Sequence, residues 1–347
     1  REVYDDPVIN NDPLTENDFA TDYRFDLVGN RVEKLTDTAP AAAAFTAYRE
    51  GGNLTPDQAI KYAYDDNDRL LTELAQSIAA DGARTTNQTT WHEYDPDTDG
   101  QPGTGGSWTM ETRKTVFQGA NTSEGRVIVS DAKYSFNLQN RLAQAEIDTN
   151  GATSGGVETS QYEYNTSGIR VQKVEGTDKV LYLVDGNNPT GYAQVLEELN
   201  GAHQLQRAYT LGLDVISQAE AAGPVYHLLY DGHGSTRALL NGSGVIIGGQ
   251  TFAYDAYGNA IGFNPALVLT TLLYSGEQFD QRLQMQYLRA RYYDLATGRF
   301  NRVDPFFGSL KDPLSLHKYL YVQGAPINRI DPSGLLFVDD LSLQGIV

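Results

Sequence analysis

The sequence predicts an all-β fold, built from repeated antiparallel β-hairpins that join into one long curled or spiralling sheet, a partial hollow shell or barrel. Three observations predict it. A short pattern recurs along the chain: aromatic, any residue, aromatic, acid or amide, a small turn, then Arg and an aliphatic. The composition is rich in turn and strand formers, with 34 Gly, 22 Tyr and 12 Phe but only 2 Met among 347 residues. Finally, a lone hairpin is marginal in water, so each must pair its edges with the next.

The opening segment, 1–22, carries Asp6-Pro7 and Asp12-Pro13, which break regular structure and mark a connecting stretch. The first hairpin follows at Tyr23-Arg24-Phe25-Asp26, where aromatics two apart share a strand face. Gly29-Asn30 supplies a turn with positive φ, and Arg31 to Leu35 returns. Residues 39–59 leave the pattern; Thr55 followed by Pro56 has the form of a helix cap and first position, so a short helical insertion is expected there. The repeat resumes at Tyr62-Ala63-Tyr64-Asp65 with Arg69-Leu70, and loosely at His92-Glu93-Tyr94-Asp95. Asp95 to Gly100 alternates carboxylates as a calcium loop does, but Pro96 interrupts it and no bidentate Glu follows, so a polar turn is expected.

Further copies stand at Tyr134-Ser135-Phe136-Asn137 with Arg141-Leu142, at Tyr162-Glu163-Tyr164-Asn165 with Arg170-Val171, and at Phe252-Ala253-Tyr254-Asp255 with Gly258-Asn259. Between the last two, the strands run closer together. Tyr230-Asp231-Gly232-His233-Gly234 turns sharply, and His233 reads as a turn residue because no nucleophile accompanies it. In domain terms, 1–286 is a hairpin array, 287–335 a distinct aromatic- and charge-dense block, and 336–347 the start of a further region. A polypeptide beginning Arg1-Glu2-Val3, without Met or a leader pattern, reads as a piece of a longer one.

Composition removes several function classes. The net charge of −19 disfavours nucleic acid as a partner, since phosphates repel acidic surfaces. With no Cys, thiolate catalysis and cysteine zinc sites are excluded, and the five His show no ligand spacing, so neither cofactor nor metal is expected. No apolar run is long enough for a membrane helix, and membrane insertion by this segment is not expected.

The block 287–335 holds the candidate chemistry. It contains two Asp-Pro elements, Asp304-Pro305 and Asp331-Pro332, preceded by Arg289, Arg291, Tyr292, Tyr293 and Asp294. Paired carboxylates cannot both ionise cheaply, so one keeps a proton and serves as acid while the other activates water. An adjacent Arg fixes which one carries the charge. The plainer alternative is that Asp304 and Asp331 only cap local turns, with Arg289 and Arg291 paired to them for stability.

The Tyr-x-Tyr-Asp repeats resemble YD repeats, and Tyr230 to Leu239 with Arg289 to Leu335 resemble the Rhs repeat-associated core, related to Tc toxin C subunits and, more distantly, teneurins. The resemblance covers nearly the whole chain and is strongest in RARYYDLATGRF and in Asp331-Pro332-Ser333-Gly334-Leu335. It implies a secreted or cell-surface bacterial shell around a C-terminal cargo domain of the same polypeptide, often a toxin. It also implies an aspartic self-protease with Asp304 and Asp331 catalytic, Arg291 or Arg289 in support, and Leu335-Leu336 as the scissile bond. The first element here is Asp-Pro-Phe-Phe-Gly, longer by one residue than the family pattern. From a different class comes a non-catalytic surface scaffold or adhesin, its tyrosine-rich sheet binding glycans or assembling into larger structures.

Overall fold

The computed structural model describes residues 2–4, 19–38, 55–94, 110–120, 127–149 and 156–339. Most of the irregular segment 39–59 and the loop 95–100 lie outside them. The described residues contain β-strands and short 3₁₀ turns but no α-helix. They fall into two compact units, 1–133 with 148–156 and 308–318, and 134–147 with 157–307 and 319–347.

In the first unit, strands consecutive in sequence pair antiparallel. Glu2–Tyr4 joins Phe19–Phe25, which pairs with Arg31–Asp37, then Gln58–Tyr64, Leu70–Ile78, Arg84–Glu93 and Arg113–Gln118 follow, each on its predecessor. The helix expected to begin at Thr55-Pro56 is absent. Pro56 leads instead into the strand Gln58–Tyr64, which is paired on both sides, so ladder hydrogen bonds override the local capping signal. Asp57 accepts the Thr38 amide at 3.1 Å and thereby pins the strand's entry.

In the second unit the same order holds from Val157–Tyr164 through Arg170–Glu175, Asp178–Asp185, Gln194–Asn200, Leu205–Leu211, Val215–Glu220, Val225–Tyr230 and Thr236–Leu240 to Ile246–Thr251. The predicted hairpin-on-hairpin sheet is what forms. A separate four-stranded antiparallel sheet, Gln278–Asp280, Met285–Leu288, Arg291–Asp294 and Arg299–Phe300, follows it.

The repeat has a physical reason at each position. Its acid or amide caps the turn: Asp26 Oδ1 accepts the amides of Val28 and Asn30 (3.0 and 2.8 Å), Asp65 those of Asn67 and Arg69, Asn137 those of Gln139 and Arg141. The residue three after it adopts a left-handed backbone, at Gly29, Asp68, Asn140 and Gly168, which selects Gly, Asn or Asp there. Asn30, expected to share the positive φ, does not.

The second aromatic reaches back to the preceding hairpin. Tyr64 donates its hydroxyl to the Arg31 carbonyl and Tyr164 to that of Leu142, both at 2.7 Å. The Arg after the turn lies against tyrosine rings, Arg31 on Tyr23 and Tyr62, Arg69 on Tyr94, Arg141 on Tyr164. Neighbouring hairpins are therefore joined by side chains as well as by ladders.

Candidate functional site

The site lies in the second unit, on the hairpin formed by Met285–Leu288 and Arg291–Asp294. Leu288 pairs directly with Arg291, and Arg289 takes a left-handed conformation (φ 57°) to turn the chain between them. The hairpin is anchored by an aromatic core that includes Phe279, Leu288, Tyr293, Phe300 and Tyr321, with Tyr293 and Tyr321 stacked at 4.0 Å.

Asp331-Pro332-Ser333-Gly334-Leu335 folds over this hairpin as another copy of the repeat turn. Asp331 Oδ1 accepts the amide of Leu335 at 3.0 Å, Gly334 has φ 67°, and the Gly334 amide donates to the Asp331 carbonyl. The copy docks by its backbone. The Ala290 amide donates to Ser333 O (3.2 Å), Arg289 Nη1 donates to Pro332 O, and Arg291 Nε to Gly334 O at 2.5 Å. Gly334 is required by the fit, because a Cβ there would meet Leu288 O at 2.2 Å and Arg291 N at 3.0 Å.

Arg291 also gathers the two aspartates. Its Nη2 lies 2.9 Å from Asp304 Oδ2 and 3.6 Å from Asp331 Oδ2, and its guanidinium packs 3.5 Å from the centre of the Phe300 ring. Burial lowers the pKa of Arg291, against the pull of both carboxylates. Burial likewise raises that of Asp331, helped by the charge of Asp304 and opposed by Arg291 and by the bonds from Ser333 and Leu335. Asp304 is less buried and caps its own turn, accepting the Phe306 amide at 2.8 Å. Asp304 and Asp331 thus share one cation, and both also cap turns.

Arg289 belongs elsewhere. It donates to Glu277 Oε1 (2.8 Å) and to Ala193 O (2.8 Å), so its reach toward the site is through the Pro332 carbonyl. Glu277 itself is buried, which raises its pKa. Arg302 donates to Ala290 O at 3.0 Å, and burial, with the charges of Arg291 and Arg141, lowers it to about 10. Leu335 and Leu336 are exposed, at 36% and 61%, so the bond between them joins two exposed residues.

Three partners were not anticipated from sequence: Phe300 beneath Arg291, Glu277 on Arg289, and Ser333, whose hydroxyl bonds Asp331 at 3.0 Å. Only Ser333 had a readable signal, since it stands inside the turn copy. His233 sits in its turn, its amide donated to Asp231 Oδ1 and its Nε2 3.1 Å from the Tyr274 hydroxyl.

No family model matches the chain. It is 29% identical over 211 residues, 59% of its length, to the tRNA3(Ser)-specific nuclease WapA of Bacillus spizizenii, and 27% identical over 210 residues to the tRNA nuclease WapA of Bacillus subtilis. It is also 32% identical over 116 residues, 33% of its length, to salivary gland surface protein 1 of Aedes aegypti. The match spans 8% of each WapA protein and 3% of the mosquito one. Among solved structures, TcdB2-TccC3-Cdc42 superposes over 92% of this chain and 17% of its own, with TM-score 0.44 and 17% identity. The Photorhabdus luminescens Tc holotoxin pore gives TM-score 0.44 over 91% of this chain and 16% of its own. On its ordered Tyr-x-Tyr-Asp hairpins and its likeness to WapA, the chain is a relative of the Rhs/YD-repeat proteins.

Proposed function

We propose that the chain is part of a bacterial toxin-delivery shell, secreted or on the cell surface, that encapsulates or displays the polypeptide following Leu335 and cuts itself free of it. The observation that carries the cleavage half is Arg291, which joins Asp304 and Asp331 and holds the Gly334 carbonyl one residue before the exposed Leu335-Leu336 bond. Asp331, buried and with its pKa raised, takes the acid's role; Asp304, 2.9 Å from Arg291, takes the base's. In the reaction, Asp304 takes a proton from water as its oxygen adds to the Leu335 carbonyl carbon. The carbon–nitrogen bond then breaks, leaving a carboxylate on Leu335 and an amine on Leu336.

The sheet of the second unit supports the shell half. Its ladders place Leu183, Glu197, Ala208, Ala219 and Val225 in one row of direct partners, hence on one face. Leu183, Val225 and, four residues along the same strand, Leu229 are 40–49% exposed. The other face packs Tyr209, Leu228 and Leu239 into a core. A row that is aliphatic except for Glu197, on the face away from that core, suits an incompletely folded polypeptide laid against it.

Intact-mass analysis of wild type beside Asp304→Asn and Asp331→Asn tests the reading. Loss of the segment beginning at Leu336 in wild type alone is the expected result. A wild-type chain that stays whole defeats the self-protease.

A further inference from the structure

Breaking the Leu335-Leu336 bond requires a proton for the Leu336 nitrogen. Asp331 cannot be seen to supply it directly, because its Oδ1 bonds the amide of Leu335, one peptide short of that nitrogen. Ser333 spans the remaining step. Its Oγ donates to Asp331 Oδ1 at 3.0 Å and accepts the N–H groups of Leu335 and Leu336, each at 3.1 Å. It stands half-buried between a buried carboxyl and the exposed bond.

In the intact peptide the Leu336 nitrogen is conjugated and only donates. Once water has added to the Leu335 carbonyl carbon, that conjugation is lost and the nitrogen becomes basic. The hydroxyl 3.1 Å away is then in place to give a proton rather than accept a hydrogen bond. We propose that Ser333 is a catalytic proton relay, passing its hydroxyl proton to the Leu336 nitrogen as the bond breaks and, as its hydrogen bond to Asp331 Oδ1 reverses, recovering one from the Asp331 carboxyl.

This rests on the cleavage reading above. Atoms balance: water gives its oxygen and one hydrogen to the Leu335 carbon and its other proton to Asp304, Asp331 gives one through Ser333 to Leu336, the new Leu335 carboxylic acid releases its proton to solvent, and no oxidant or further reactant is used. Burial raises the pKa of Asp331, which favours its carboxyl over Asp304 as the source of that proton.

The test is the first-order rate at which the chain, bearing its natural continuation after Leu335, is cut, followed by intact mass for wild type, Ser333→Ala and Ser333→Thr over a pH series. Hydrogen exchange at the Ala290 amide, which binds Ser333 O, reports whether the turn stays docked. Ser333→Ala is expected to slow cleavage by about a hundredfold or more with Ala290 still protected, and Ser333→Thr to recover most of the rate. The wild-type rate should fall as pH rises through the Asp331 titration, and the residual Ser333→Ala rate should lack that dependence. Ser333→Ala cutting within about threefold of wild type overturns the relay while leaving the cleavage reading intact. Slowing accompanied by loss of Ala290 protection and not recovered by Thr also overturns it, because Ser333 then only caps the turn. A wild type that is never cut overturns both.

Discussion

Replacing Gly334 by Ala separates two effects that the same residue carries. A left-handed backbone at φ 67° costs an L-residue roughly 1 kcal/mol. The added Cβ would also meet the Leu288 carbonyl oxygen at 2.2 Å, where ordinary contact begins at 3.4 Å, and backbone cannot rotate aside. The turn must lift by about an ångström, stretching the Arg291–Gly334 and Ala290–Ser333 hydrogen bonds, worth about 2 and 1 kcal/mol. Together the docked turn loses about 3 to 4 kcal/mol, at least a hundredfold in its docking equilibrium. Hydrogen exchange at the Ala290 and Leu335 amides measures it. Gly244→Ala is the control: its φ is 77° but a Cβ there meets nothing within 4 Å, so only the left-handed term of about 1 kcal/mol remains. Equal local losses in the two variants would show that the close approach at Leu288 contributes nothing.

Two further outcomes follow from the first unit and the repeat. His92 is buried between Glu111 (2.8 Å) and Glu73 (2.9 Å); burial alone would lower its pKa, but the carboxylates raise it from 6.5 to about 9. A raised folded-state value contributes stability that is fully present below about pH 6.5 and is lost as pH climbs to about 9, roughly 3 kcal/mol in all. Urea midpoints across that window should fall for wild type, and His92→Gln should flatten the fall; a wild-type midpoint that holds steady refutes the clamp. Tyr164→Phe removes the hydroxyl on the Leu142 carbonyl and should cost about 1 kcal/mol in chemical denaturation, with no change in the m-value. An unchanged midpoint would mean that this carbonyl has no need of the tyrosine.

The hairpins were legible because their signals are local. Asp26, Asp65 and Asn137 bind amides two and four residues on, a geometry that five consecutive residues can spell out. Asn200 and Asn241 cap the same turn but lack the flanking aromatics, so the repeat was undercounted there. Pro56 misled for the opposite reason: its helix signal is local, and the strand pairing that overrode it comes from Leu35 and Gln76, partners of Ala59. The pairing of Arg289 with Glu277 was illegible too, since Arg289 and Arg291 stand two residues apart, as neighbours on one strand face would, and only the left-handed turn at Arg289 sends them apart.

That turn geometry bears on whether Asp331 caps or catalyses. The two roles need not compete. Asp26 and Asp231 cap their turns while still reached by solvent. Asp331 makes the same bond to the residue four ahead but is 4% exposed and faces the charge of Asp304 across Arg291. What distinguishes the two settings is desolvation, which turns a capping carboxylate into a held acid without altering its local hydrogen bonds. Asp331→Asn keeps a side-chain oxygen to cap the turn and removes the acid. A variant that stays docked at Ala290 yet leaves Leu335-Leu336 whole would therefore separate the cap from the chemistry, while one that still cuts would leave Asp331 with the turn alone.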